Sequence, residues 1–329
     1  KMIEILKYEN NLLSDWDDFV EHSNNGTIFH KQKFLSYHIN RRFDDFSLIF
    51  KKRGKIIAVF PAAIELKGSK KVLFSHPGAS FGGIIHRNLS FDSCWKIIEL
   101  IEKTALKNNF DNIFIIQPPN IFNRYQNDEI VDYCLRRKKY NSKELYLTSV
   151  LAIEDVVSEQ IKKISKNKKR SEKYYDTLIA KNNLKFRWVE NFDDFYPILI
   201  KNKKKHNATP THSVEELEKL RYLFPNDILQ LMLYRDAPIG GMTVFKATPN
   251  CIIIFYSMFD YKYNNLQPIT LLMQYVIRWA KKNKIKIIDY GVSHQPNDGD
   301  CLSLNKSLIK FKEEFGCFAS IRNTYSQKE

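Results

Sequence analysis

The chain repeats an order of elements without repeating residues, and that order restricts it to few folds. Residues 46–64, "FSLIFKKRGKIIAVFPAAI", read as a strand, a charged turn at Gly54 and a second strand. A strand and loop, "KKVLFSHPGASFGGIIH", a helix, "SCWKIIELIEKTALKNN", and a strand, "NIFIIQPP", complete the unit. Residues 227–247, "DILQLMLYRDAPIGGMTVFKA", are again strand, turn at Asp236 to Pro238, and strand. The strand "CIIIFYSMF", the loop "DYKYNNLQP", the helix "ITLLMQYVIRWAKKNK" and the strand "IKIIDYGVS" follow. The two series are offset by roughly 180 residues. One α+β unit, a mixed sheet flanked by helices, is therefore expected twice, over residues 1–150 and 151–329. With 329 residues, 43% of them hydrophobic, the chain has material for one large core or two medium ones.

Several function classes fall away on composition. No apolar run of about 18 residues occurs, and "KMIEILKYENNLL" lacks the basic and apolar regions of a signal peptide. A soluble cytoplasmic protein is expected, at most peripheral to the inner face of a membrane. The five cysteines are odd in number, scattered and never in CxxC, so they read as reduced and structural. The eight histidines form no HExxH or similar spacing, so no metal is expected. The formal charge of +15 favours phosphate-bearing partners, although an abundance of Lys, Asn and Ile throughout the chain gives the same excess.

The segment between the units is the most basic. Residues 161–173 carry a run that includes Lys169 and Arg170. Such a run is commonly a solvated helix face; its functional reading is phosphate recognition, with Arg170 as a bidentate partner. Further on, Ser213 and Glu216 have the spacing of a capping box, which places His206 and His212 in the loop before a helix. Both histidines are candidate general bases, against the alternative of exposed or capping residues. Tyr256, in the strand "IIIFY", is a candidate hydroxyl donor or a core residue. Asp289 either orients a histidine, holds a substrate hydroxyl or caps the following loop. At "NNLQP", Pro268 suits the first turn of a helix, whose free N–H groups favour an anion, so Asn264, Asn265 and Gln267 are candidate ligands for a cofactor phosphate.

Near the C-terminus, "SLNKSLIKFKEEFG" (303–316) is amphipathic, with Leu304, Leu308, Phe311 and Phe315 on one narrow face. Lys312 projects roughly 60° from the centre of that stripe. It is either a snorkelling lysine or one that reaches into a site.

Hairpin, strand, loop at a helix start, helix and strand is the order of the GNAT N-acetyltransferases, without their glycine-rich pyrophosphate loop. Two such units in tandem, together with "LQPITLLMQYVIRWAKKNKIKIIDYG" (266–291), "DYGVS" and "NKSLIKFKEEFG", resemble the FemAB-like superfamily of acyltransferases over most of the chain. The segment "KKHNATPTHSVEELEKLRYLFP" is similar to a subgroup found with surface-polysaccharide genes. The resemblance implies that Lys312, with Phe311 as packing neighbour, stabilises charge developing on the carbonyl oxygen.

The expectation is an N-acyltransferase that transfers groups other than aminoacyl groups. It would use acyl-CoA or an acyl carrier protein thioester, with no tightly bound cofactor, and a nucleotide-linked amino sugar or other surface-glycan precursor as acceptor. Two alternatives stand beside it. One is an aminoacyl-tRNA-dependent transferase acting on a peptidoglycan precursor; the other is a non-catalytic binder of nucleic acid or anionic membrane through residues 161–173.

Overall fold

The computed structural model describes residues 2–153, 166–294 and 303–328, with the backbone alone for 166–173. It divides into two compact units, residues 1–146 with 321–329, and residues 147–320.

In chain order the first unit contains β1 (Glu4–Lys7), α1 (Leu13–Glu21), α2 (Gln32–Leu35), β2 (Asp44–Asp45), β3 (Leu48–Lys52), β4 (Lys55–Phe60), β5 (Ala63–Lys67) and β6 (Lys70–Ser75). It continues with β7 (Ile85–His86), α3 (Phe91–Lys107), β8 (Asn112–Gln117), α4 (Ile130–Arg137) and the start of β9 (Asn141–Ala152). Four strands form one antiparallel sheet in the order β1-β3-β4-β7. The β3–β4 hairpin turns through Arg53 and Gly54, at φ 52° and 73°, the left-handed pair that matches strand twist. In the second sheet β5 pairs antiparallel with β6, and β6 runs parallel to β8 over Val72–Ser75 and Asn112–Ile115. α3 is the crossover between those two parallel strands; Ile97, Ile98, Ile101 and Ala105, three to four residues apart, bury one face of it with Leu73 and Ile113.

Past Ser75 the chain folds back over its own strand end. Gly82 donates its N–H to the Ile116 carbonyl at 2.9 Å, and Gly83 donates to Ser75 Oγ at 2.8 Å. A Cβ on Gly82 would lie 2.2 Å from the backbone carbon and oxygen of Ser75. Gly82 of "HPGASFGG" thus admits the backbone of the chain itself.

The second unit follows with α5 (Lys166–Lys181), β10 (Lys185–Val189), α6 (Tyr196–Lys205), α7 (Val214–Leu223), β11 (Ile228–Tyr234), β12 (Pro238–Thr248) and β13 (Cys251–Phe259). Then come α8 (Pro268–Lys282), β14 (Ile287–Val292), α9 (Lys306–Glu313) and β15 (Phe318–Ser326), the last ending in the first unit. The capping box at the start of α7 is present in full: Glu216 N–H donates to Ser213 Oγ at 3.2 Å, and Ser213 N–H to Glu216 Oε2 at 3.1 Å. Strands β10, β11, β12 and β13 are successively antiparallel. β14 joins β13 in parallel and β9 antiparallel. α8 again bridges the parallel pair, burying Leu271, Leu272, Met273, Val276 and Ala280 in the core of this unit. Each such large apolar side chain contributes about 1.5–3 kcal/mol on burial. The chain is thus α+β with mixed sheets, and the expected order of elements is present in both units.

Candidate active site

β13 is nine residues long, but only Cys251, Ile252 and Ile253 pair with β14. Beyond them the two parallel strands part. Met242, Ile254, Ser257, Met258, Phe259, Tyr290 and Val292 line a cavity of about 560 Å³ in the gap, closed by Asn264, Gln267 and Pro268 at the start of α8 and by Leu308, Phe311 and Lys312 of α9.

Two local features hold the strands apart. The pairing of β14 with β9 is irregular between Asp289 and Val292, and Gly291 there has φ 72°, a conformation that strains any residue with a Cβ. Asp289, 4% exposed, accepts hydrogen bonds from Thr148 Oγ1 and, at 2.8 Å, from Gly291 N–H, fixing that bend. The bend turns the Gly291 carbonyl toward α9.

Lys312 answers it. Its ammonium donates to the Gly291 carbonyl and to Ser293 Oγ, both at 2.9 Å, with a longer contact of 3.5 Å to the Val292 carbonyl. Only 6% of this lysine is exposed, whereas the neighbouring stripe residues Leu308 and Phe311 are half-buried. Helix amphipathicity alone would order these exposures the other way; the cavity beside Leu308 and Phe311 reverses them. Burial lowers the Lys312 pKa to about 8, against the opposing pull of Asp289 and Cys317. At neutral pH the site therefore holds a desolvated cation at one wall. Its three N–H donors meet two close acceptors and one distant one, so a ligand oxygen would take the place of the weak contact to the Val292 carbonyl.

The other candidate residues separate into groups. Asn264 and Gln267 line the cavity, and Gln267 Oε1 accepts from Tyr175 Oη at 2.8 Å. Asn265 is exposed outside the lining. His212 and Tyr256 meet each other: Tyr256 Oη lies 3.0 Å from His212 Nδ1 and accepts from His212 N–H at 3.3 Å. Both are buried, Tyr196 Oη donates to the His212 carbonyl, and burial raises the Tyr256 pKa to about 12. A bulge of β13 against β12 between Ile254 and Tyr256 accompanies this arrangement: Ile254 packs in the core with α8, and Tyr256 reaches the loop before α7. This pair latches the loop to the strand, and neither residue lines the cavity. His206 is exposed at the end of α6, 3.4 Å from Tyr261 Oη. Phe311 lines the cavity and packs on Phe315 at 5.3 Å between ring centroids. The side chains of Lys169 and Arg170 lie outside the described residues.

Residues not singled out from sequence complete the wall. Gly291 and Ser293, both within "DYGVS", anchor Lys312, and Ser257 and Tyr290 are among the lining residues, their hydroxyl oxygens buried. The available signal was a glycine near the end of a strand with a hydroxyl residue directly after that strand. Among the described residues no helix is long and apolar enough to cross a membrane, and no group of His, Cys, Asp and Glu is arranged to hold a metal.

Comparison with known proteins extends this picture. Residues 157–321, half of the chain and all of the cavity lining, match the model of the FemAB family. The fold is similar to that of FemX, at 12% identity and TM-score 0.71, over 98% of this chain and 97% of that one. It is also similar to L-PGS from Bacillus licheniformis, at 12% identity and TM-score 0.57, over 98% and 92%. A tandem GNAT protein from the clavulanic acid biosynthesis pathway aligns at 9% identity and TM-score 0.56, over 99% of both chains. At these identities the likeness is one of fold. No curated protein matches the chain.

These findings correct the expected chemistry. FemAB proteins transfer aminoacyl groups from aminoacyl-tRNA, which overturns the acyl-CoA or carrier-protein donor, the assignment to non-aminoacyl transfer and the nucleotide-linked amino-sugar acceptor. The start of α8 gives a physical reason. Its left-handed residue is Gln267, at φ 51° and ψ 53°, where a pyrophosphate loop has glycine, and a side chain stands where a phosphate would meet bare backbone.

Proposed function

We propose, from the premise that the chain belongs to the FemAB family, that it transfers an aminoacyl group from aminoacyl-tRNA to an amine of a peptidoglycan precursor. The observation that carries this reading is the buried Lys312 ammonium at the wall of the strand fork. In the reaction the acceptor amine attacks the ester carbonyl, the carbon–nitrogen bond forms and the carbon–oxygen bond to ribose breaks. The amine gives up a proton, and the leaving ribose oxygen gains one. Charge develops meanwhile on the carbonyl oxygen, and a preorganised cation in a site shielded from water stabilises it by about 3 kcal/mol. Lys312, held by Gly291 and Ser293, supplies that charge without reorganising. Leu308, Phe311 and Met273 keep its surroundings apolar, and Asn264 and Gln267 offer amides at the opening of α8. His212 and Tyr256 maintain the wall from behind. The reaction is assigned to the cytoplasm, where aminoacyl-tRNA is made.

The test is transfer of radiolabelled amino acids from a charged tRNA pool to a peptidoglycan precursor, with acetyl-CoA and amino sugars as the comparison. Label in the precursor is expected only with charged tRNA. Free thiol release from acetyl-CoA, with no transfer from tRNA, would overturn the reading.

A further inference from the structure

We propose that Tyr175 is a positioning residue of the strand fork: it turns the Gln267 amide so that the N–H pair is presented at the cavity mouth, where it holds the ribose of the ester donor. This inference rests on the aminoacyl-transfer reading and adds how the leaving half of the donor is gripped. Gln267 is an unusual residue for its place. It precedes α8 at φ 51° and ψ 53°, a conformation that favours glycine or asparagine, yet its side chain caps none of the helix N–H groups. Strain of this kind collects at functional sites. The side chain instead reaches across to α5, where Oε1 accepts from Tyr175 Oη at 2.8 Å, and among the described residues Nε2 has no partner. Tyr175 is a firm anchor. It is 6% exposed in the core that contains Leu271 and Val276, its hydroxyl also bonds the Thr270 side chain, and the adjacent Asp176 accepts from Arg278 of α8 at 3.3 Å.

An amide whose oxygen is taken presents donors only. The cavity separates its polar groups by depth: Lys312 is buried, whereas Asn264 and Gln267 are exposed. Ile254, Met273, Leu308 and Phe311 make much of the remaining lining apolar. An ester whose carbonyl meets the Lys312 ammonium therefore carries its ribose outward, past the two amides. Ribose is rich in oxygens that accept N–H bonds, so the polarity imposed by Tyr175 suits it. A contact that merely tied α5 to α8 would need only an acceptor at position 267, and a carboxylate would serve as well as an amide.

The experiment compares the full chain with Gln267→Glu, Gln267→Met and Tyr175→Phe. Transfer from charged tRNA, calorimetric binding of an amide-linked 3′-aminoacyl adenosine and melting temperature are measured for each. Gln267→Glu keeps an acceptor for Tyr175 and removes the N–H pair; Gln267→Met removes both without adding charge. Both are expected to raise the KM for charged tRNA and the Kd of the analogue by about tenfold, with kcat at saturation within about twofold of wild type. Tyr175→Phe frees the amide to turn and should raise both constants by about threefold. Added to Gln267→Met it should cause no further loss of binding, because Tyr175 acts only through the amide. Gln267→Glu should keep the melting temperature of the wild type. Wild-type KM and Kd in Gln267→Glu, or a fall in kcat with KM unchanged in either variant of Gln267, overturns the inference while aminoacyl transfer stands. No transfer and no analogue binding by the wild-type chain overturns both.

Discussion

Each unit builds a parallel strand pair bridged by a helix, yet one pair is closed and the other forked. In the first unit four of the six residues of β6 pair with β8, and Gly82 carries the following loop onto the Ile116 carbonyl. In the second, three of the nine residues of β13 pair with β14, and the space beyond is a cavity with a lysine at its wall. The same order of elements can therefore fill its fork with chain or leave it for a ligand. What decides is the loop after the first strand of the pair: "HPGASFGG" turns back over the sheet, whereas "DYKYNNLQP" leads away into α8.

The largest expected effect lies in the closed fork. Gly82→Ala places a carbon 2.2 Å from backbone atoms of Ser75, which cannot yield as a side-chain tip would. A loss of about 3 kcal/mol or more is expected, read as a lower midpoint in denaturant. An unchanged midpoint would show that the loop can lift off, and the two forks would differ less than they do here.

Next is the open fork itself. Lys312→Met keeps most of the stem and removes the charge, and turnover is expected to fall by about 100-fold or more, the scale for a lost oxyanion donor. Stability should change little, because the desolvation cost of the ammonium disappears with its bonds to Gly291 and Ser293. Wild-type turnover would return Lys312 to the role of a snorkelling side chain.

The pH dependence follows from the lowered pKa of that lysine. As an electrostatic stabiliser Lys312 must be protonated, so the rate should fall about tenfold per pH unit above about 8. Lys312→Arg should remove that inflection, whatever rate it retains. A rate that rises through pH 8 would instead make the neutral amine the active form. The stability sign is opposite: the folded state holds this proton less tightly than the unfolded chain, so the penalty is complete below pH 8. It is relieved as pH rises from about 8 toward the ordinary lysine value of 10.5.

The smallest effect is at the bend that opens the fork. Gly291→Ala meets nothing closer than the Ile254 carbonyl at 3.9 Å, so its cost is conformational, about 1 kcal/mol at φ 72°. A small drop in melting temperature with a larger drop in kcat is expected, because the Gly291 carbonyl holds Lys312. Equal losses in the two would mean that the bend serves the fold alone.

The tandem α+β order, the hairpins, the capping box at Ser213 and both crossover helices were legible in the sequence, because periodicity, turn residues and caps act over a few positions. Part of the candidate site was legible too: Lys312, Phe311, Asn264 and Gln267 line one cavity. His206 stood out only because histidine titrates near neutrality, and the structure sets it on an exposed helix end. His212 and Tyr256 carry separate local signals, and their contact joins residues 44 apart that no local pattern links.

By itself, then, the sequence determined which segments are strands and helices and that the set occurs twice. It also marked Lys312 as a residue that helix packing leaves unexplained. Only the tertiary structure decided which fork is open, that Asp289 and Gly291 shape it, and that Gly291 and Ser293 hold Lys312 at its wall. Local elements follow from neighbours along the chain, whereas an open cavity depends on where two strands stop pairing and on which distant loop or helix arrives there.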